Sequence, residues 1–99
     1  MRTMDEVLKE ISGLHGLYNQ DGFEKFMELS SIGKETNNKP LHVMAMMNAA
    51  NIALKMQNFD IWSSLLTEVK NIDENLMLEY LKEPELQATR EAFDILFSK

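Results

Sequence analysis

Residues 41–66 constrain the fold more than any other part of the chain, because they form its most apolar stretch and contain the single tryptophan, Trp62. A polar pair at positions 57–58 divides the stretch into two segments in which apolar side chains recur every three or four residues. This spacing is typical of amphipathic helices. The stretch therefore predicts two helices, over about 40–56 and 59–70, which form an antiparallel hairpin because the turn between them is so short.

The same spacing continues through the rest of the chain, and no strand-like alternation of useful length interrupts it. Capping residues, glycines and prolines divide the chain into helical segments. The predicted helices cover about 3–18, 21–33, 40–56, 59–70, 73–83 and 84–97. This pattern predicts an all-α fold of about six short helices in stacked antiparallel hairpins.

Length and composition favour a single folded domain. The chain has 99 residues, of which 44% are hydrophobic and 26% charged. These are ordinary values for a globular protein, and the length suffices for one core but not for two. We interpret residues 1–99 as one helical domain with a polar linker at 33–39, which is expected to be its most mobile internal segment.

The sequence favours the cytoplasm. It contains no cysteine, which excludes disulfides and thiolate metal sites and suits a reducing compartment. Its charged start, MRTMDEVLKE, has no apolar signal segment. No window approaches the roughly 18 apolar residues of a membrane span. We therefore expect a soluble, cytoplasmic protein with no membrane partner.

The charge is acidic and uneven. The formal net charge is −6, and the segment 68–94 alone contains eight acidic and three basic residues. An excess of negative charge disfavours direct binding to nucleic acid. The acidic segment is interpreted either as solvated helix faces or as a surface that binds a basic partner or mimics nucleic acid.

No residue pattern indicates catalysis. His15 and His42 are the only histidines, and neither has a metal-binding partner at a recognisable helical spacing. The serine pairs at 30–31 and 63–64 lack the context of a nucleophile elbow. The four glycines do not form a phosphate-binding loop. We therefore predict a non-enzymatic chain with no catalytic residue, no metal site and no cofactor.

The segment Ala49–Asp60 resembles the centre of a tetratricopeptide repeat, in which small residues precede a short turn and an aromatic residue opens the second helix. A shift of 36 positions superposes residues 22–29 on 58–65, and the resemblance covers about 55 of the 99 residues. Trp62 stands where the family usually has alanine. The resemblance implies stacked hairpins with a peptide-binding inner face, on which Asn51 matches a ligand-binding asparagine.

Helix 40–56 has one polar stripe, formed by Asn48, Asn51 and Lys55 at positions i, i+3 and i+7. If this stripe lines a groove, its two amides and its ammonium group would bind an extended peptide backbone or a carboxylate. Otherwise the stripe is the only solvent-facing side of the helix. Both interpretations remain open at this point.

Methionines give the same helix apolar surface on several sides. Met44, Met46 and Met47 cannot share one face, since successive residues are about 100° apart around a helix. The helix must therefore be buried on more than one side, within the domain or against another chain. Met44 and Met46, with Ile61 on the next helix, are candidates for an apolar partner-binding surface.

These features predict a protein-protein interaction module. It would be a small acidic adaptor, inhibitor or antitoxin-like regulator that binds a protein or peptide partner through helix 40–56 and its neighbours. Self-association into a homodimer stays open. Two alternatives are a site for a nucleotide or phosphorylated signal, held by Lys25, Lys34 or Lys55, and an acidic mimic of nucleic acid.

Overall fold

The computed structural model describes residues 3–97, so the two ends of the predicted domain 1–99 lie outside the described residues. Over this range the chain is helical and contains no β-strand. The elements are α1 (Met4–Ser12), α2 (Gln20–Glu35), α3 (Lys39–Lys55), α4 (Phe59–Tyr80), a short 3-10 helix (Pro84–Leu86) and α5 (Gln87–Phe97). The predicted all-α class is confirmed, but the described residues form five α-helices instead of about six.

The difference in number lies at Asp73, where a separate helix was predicted to begin. Asp73 has non-helical backbone angles inside α4 (φ −165°, ψ 96°), and its carboxylate accepts a hydrogen bond from the Leu76 N–H at 3.0 Å. This hydrogen bond, assisted by the positive charge of Lys39, lowers the pKa of the Asp73 carboxyl. Asp73 therefore acts as a cap at a kink within α4.

The polar linker predicted at 33–39 is shorter in the structure, because α2 and α3 both extend into it and leave only residues 36–38 between them. Asn37 adopts the left-handed conformation (φ 56°), and the Asn38 N–H donates to the carbonyl oxygen of Gly33 at 2.8 Å. This is a Schellman turn. Gly33 thus lies within α2 and does not end it.

The connection from α3 to α4 repeats this geometry. Gln57 is left-handed (φ 64°), and the Asn58 N–H donates to the Ala53 carbonyl oxygen at 2.8 Å. Asn58 then caps α4, because its Oδ1 atom accepts a hydrogen bond from the Ile61 N–H at 3.4 Å. As a result α2, α3 and α4 form two antiparallel hairpins that share α3.

α3 is the central element of the fold. It packs against α2, α4, α5 and the 3-10 helix, and nine of its residues are buried. Four of the nine are alanines, whose small side chains permit close helix packing. Trp62 of α4 is also buried, with 1% of its surface exposed. The prediction that this helix is buried on more than one side is therefore confirmed.

Gly33 marks a close approach of α2 to α3. A Cβ atom at this position would lie 2.5 Å from the backbone nitrogen of His42 and 2.8 Å from its Cα atom. Glycine to alanine inside a helix normally stabilises by about 0.5–1 kcal/mol. Here the two backbones would have to separate, so Gly33→Ala is expected to lower the free energy of unfolding by about 1–3 kcal/mol.

Urea unfolding followed by circular dichroism measures this effect. Gly13→Ala is the matched control, because a Cβ atom on Gly13 would meet no atom closer than 3.7 Å. The control should keep the stability of the parent. If Gly33→Ala were as stable as the parent, the approach of α2 to α3 would not depend on the missing side chain.

Candidate docking groove

A groove lies between α1 and the end of α4, with α2 and α3 at its base. Its volume is about 360 Å³. The residues that line it are Leu8, Ile11, Phe26, Met44, Asn48, Tyr80, Glu83, Glu85 and Leu86. Most of these side chains are apolar, and the two carboxylates lie together in the short segment that follows α4.

The base of the groove consists of Phe26 from α2 with Met44 and Asn48 from α3. Phe26 belongs to the buried core, whereas Met44 and Asn48 are partly exposed. The Asn48 Nδ2 atom donates to the Met44 carbonyl oxygen at 2.9 Å, within the same helix. The base is therefore mainly apolar, and its methionine has a flexible thioether that adapts to different apolar surfaces.

One wall comes from α1, which presents Leu8 and Ile11 to the groove. Val7 of the same helix is fully buried in the core. An ion pair between Glu10 and Lys25 of α2, at 2.9 Å, holds the two helices together. Val7 and this ion pair therefore attach α1 to the rest of the domain, whereas the Leu8 side chain remains available at the groove.

The opposite wall begins at Tyr80. Its hydroxyl group donates to the carbonyl oxygen of Pro40 at 3.2 Å, which joins the end of α4 to the first turn of α3. Burial raises the pKa of Tyr80, and the negative charges of Glu83 and Glu79 raise it further. The wall therefore combines an aromatic ring with a negative electrostatic potential.

Asn51 fixes the rest of this wall. Its Nδ2 atom donates to the Glu85 carbonyl oxygen at 3.1 Å, and its Oδ1 atom accepts a hydrogen bond from the Thr89 hydroxyl at 2.7 Å. Only 3% of the Asn51 surface is exposed. Asn51, predicted as a partner-binding residue, is therefore enclosed by the fold, and both ends of its carboxamide attach the 3-10 helix and α5 to α3.

The other predicted site residues lie elsewhere. Met46 is buried in the core, so it is not part of a docking surface. The Lys55 ammonium lies 5.2 Å from the centre of the Tyr18 ring, outside the groove. Ile61 lines a separate small apolar cavity with Phe23. Of the six candidates, the groove therefore brings together Met44 and Asn48.

The lysines proposed for a small-ligand site are also separated. Lys25 is paired with Glu10, and Lys34 lines a shallow pocket beside His42, whereas Lys55 covers Tyr18. Burial lowers the pKa of His42, the charge of Lys34 lowers it further, and Glu68 opposes this change.

Sequence reasoning missed both walls of the groove. Leu8 and Ile11 belong to the first predicted helix (3–18), and Tyr80 belongs to the fifth (73–83). Nothing in the spacing indicated that these distant segments flank the same side of α3. Only the acidic segment that contains Glu83 and Glu85 was noticed as a candidate surface.

Comparisons with protein-family models, with curated proteins and with solved structures give no significant match for this chain. The resemblance to tetratricopeptide repeats therefore stays a prediction. Between residues 3 and 97, no helix has the length and apolar character needed to cross a membrane. Within the same range, no three potential metal-binding side chains come together.

Proposed function

We propose that this chain is a non-enzymatic protein-interaction module whose groove binds an apolar helical segment of a protein partner. The observation that carries the proposal is the apolar surface that remains accessible in the groove, where Leu8 is 37% exposed and Met44 and Tyr80 are partly exposed. Burying such side chains against a partner is favourable, at about 25 cal/mol for each Å² of apolar surface. The groove therefore offers a partner a defined apolar contact.

A helix fits this groove better than an extended peptide. An extended backbone needs hydrogen-bond partners for its N–H and C=O groups. The base offers only the Asn48 carboxamide, and its Nδ2 atom already donates to the Met44 carbonyl oxygen. A helix satisfies its own backbone and presents only side chains, so it requires no such partners.

The size of the groove suits the docking of a few apolar side chains. A volume of about 360 Å³ lies at the low end of the range of about 300–1,000 Å³ that is typical of ligand sites. Two or three apolar side chains from one helix face would fill it. Met44 would adjust its thioether to the shape of whichever side chains enter.

A binding measurement with a model helix tests the proposal. The probe is a fluorescein-labelled peptide that forms an amphipathic helix of about four turns, with leucines on one face and uncharged polar residues on the other. Leu8→Glu is expected to weaken binding by about tenfold or more, which corresponds to about 1.4 kcal/mol, because it places a charge against the apolar face. Fluorescence anisotropy gives the dissociation constants.

Ile61→Glu is the matched control. Leu8 and Ile61 are exposed to nearly the same extent, 37% and 38%, but Ile61 lies outside the groove. The control should bind the peptide like the parent, and circular dichroism checks that both variants fold. A peptide that binds all three proteins equally well, or none of them, would contradict the assignment of the groove.

A further inference from the structure

The groove is electrostatically asymmetric. Glu83 and Glu85 line one wall, whereas the opposite wall presents Leu8 and Ile11. Within the described residues, no lysine, arginine or histidine lines the groove. A helix that docks there therefore has one flank against apolar side chains and the other flank against the segment that carries Glu83 and Glu85. Glu85 also lines a neighbouring pocket that contains Lys55.

The acidic wall is held in place by the fold. The Glu85 carbonyl oxygen accepts a hydrogen bond from the Nδ2 atom of the buried Asn51 at 3.1 Å. The next residue, Leu86, is buried in the core. At the other end of the wall, the Tyr80 hydroxyl donates a hydrogen bond to the Pro40 carbonyl oxygen. Because the backbone that carries these charges is already ordered, little further conformational entropy is lost when a partner binds. The charges also favour one orientation of the partner.

Further charges of both signs lie near this wall. Glu79 lies one turn before Glu83, and both carboxylates act on Tyr80 strongly enough to contribute to the raised pKa of its hydroxyl, after the effect of burial. Lys82 is exposed, and the Arg90 Nη1 atom donates to the Leu81 carbonyl oxygen at 3.1 Å, but neither side chain lines the groove. The whole chain has a formal net charge of −6, so its long-range field is negative.

We infer that the groove selects a cationic amphipathic helix, with lysine or arginine on the flank that faces Glu83 and Glu85. This inference rests on the proposed function and adds the charge of the partner. Complementary charges at the edge of an interface favour the correct partner and suppress binding of like-charged ones. A helix with acidic residues on that flank would be repelled by the same wall.

Two peptides with the same leucine face test the inference, one with lysines and one with glutamates on the flanks. We expect the lysine peptide to bind about tenfold more tightly or better in about 0.05 M NaCl, and the difference to shrink in about 0.5 M NaCl because salt screens exposed charges. The double variant Glu83→Gln with Glu85→Gln should reduce the preference to about threefold or less.

A second double variant, Glu68→Gln with Glu74→Gln, removes the same net charge from α4 outside the groove lining and should keep the preference. An equal loss of preference in both double variants would overturn the inference, since general attraction would then explain it. If both peptides bind equally and Leu8→Glu weakens both, the proposed function stands and the inference fails. If neither peptide binds, both fail.

Discussion

Replacing Trp62 with alanine is expected to lower the free energy of unfolding by about 3–5 kcal/mol. Trp62 is the largest buried side chain of the chain, with 1% of its surface exposed, and it belongs to the α3–α4 hairpin. Its removal leaves a cavity in the buried core, which the surrounding structure fills only in part. Since domains of this size are stable by only about 5–15 kcal/mol, the variant would be close to unfolding.

Urea unfolding followed by far-ultraviolet circular dichroism measures this loss without requiring tryptophan fluorescence. Phe59→Ala is the matched control, because Phe59 is an aromatic residue of the same helix with 59% of its surface exposed. Its replacement should change stability by about 0.5 kcal/mol or less. A Trp62→Ala variant as stable as the parent would show that the indole is not part of the core.

The sequence was sufficient for the fold class and for the position of the central helix. Apolar residues at three- and four-residue spacing identified nearly every helix, and the unusual spread of Met44, Met46 and Met47 showed that α3 is enclosed. These inferences succeed because periodicity reports directly on which sides of a helix are buried. They require no knowledge of distant contacts.

Helix boundaries were less predictable, because capping residues and glycines have more than one use. A separate helix was predicted to begin at Asp73, but the chain continues through this residue as a kinked helix. The predicted helix end at Gly33 lies inside α2, where the missing side chain permits the approach of His42. At Gly33 packing against another helix decides the outcome, and a local pattern does not record that packing.

The structure brings together only some of the predicted site residues, for the same reason. Met44 and Asn48 lie at the base of the candidate groove. The polar stripe that suggested Asn48 also contained Asn51, which is buried against hydrogen-bond partners 34 and 38 residues further along the chain. The sequence of a polar stripe does not show whether its side chains form hydrogen bonds with solvent or with a distant part of the chain.

The Asn51 network leads to the second large expected effect. Asn51→Ala removes the partners of the buried Thr89 hydroxyl and of the Glu85 carbonyl oxygen. A buried polar group without a partner costs about 1–3 kcal/mol, so we expect the free energy of unfolding to fall by about 2–4 kcal/mol in total. Thr89→Val removes one of the two bonds and should cost less than Asn51→Ala.

A double-mutant cycle distinguishes this network from simple loss of packing. Because Asn51 and Thr89 share a hydrogen bond of 2.7 Å, the double variant should be more stable than the sum of the single losses predicts. Asn48→Ala is the control, since its bond stays within one turn of α3, and it should cost about 1 kcal/mol or less. Additive losses at 51 and 89 would show that the two side chains are not coupled through this hydrogen bond.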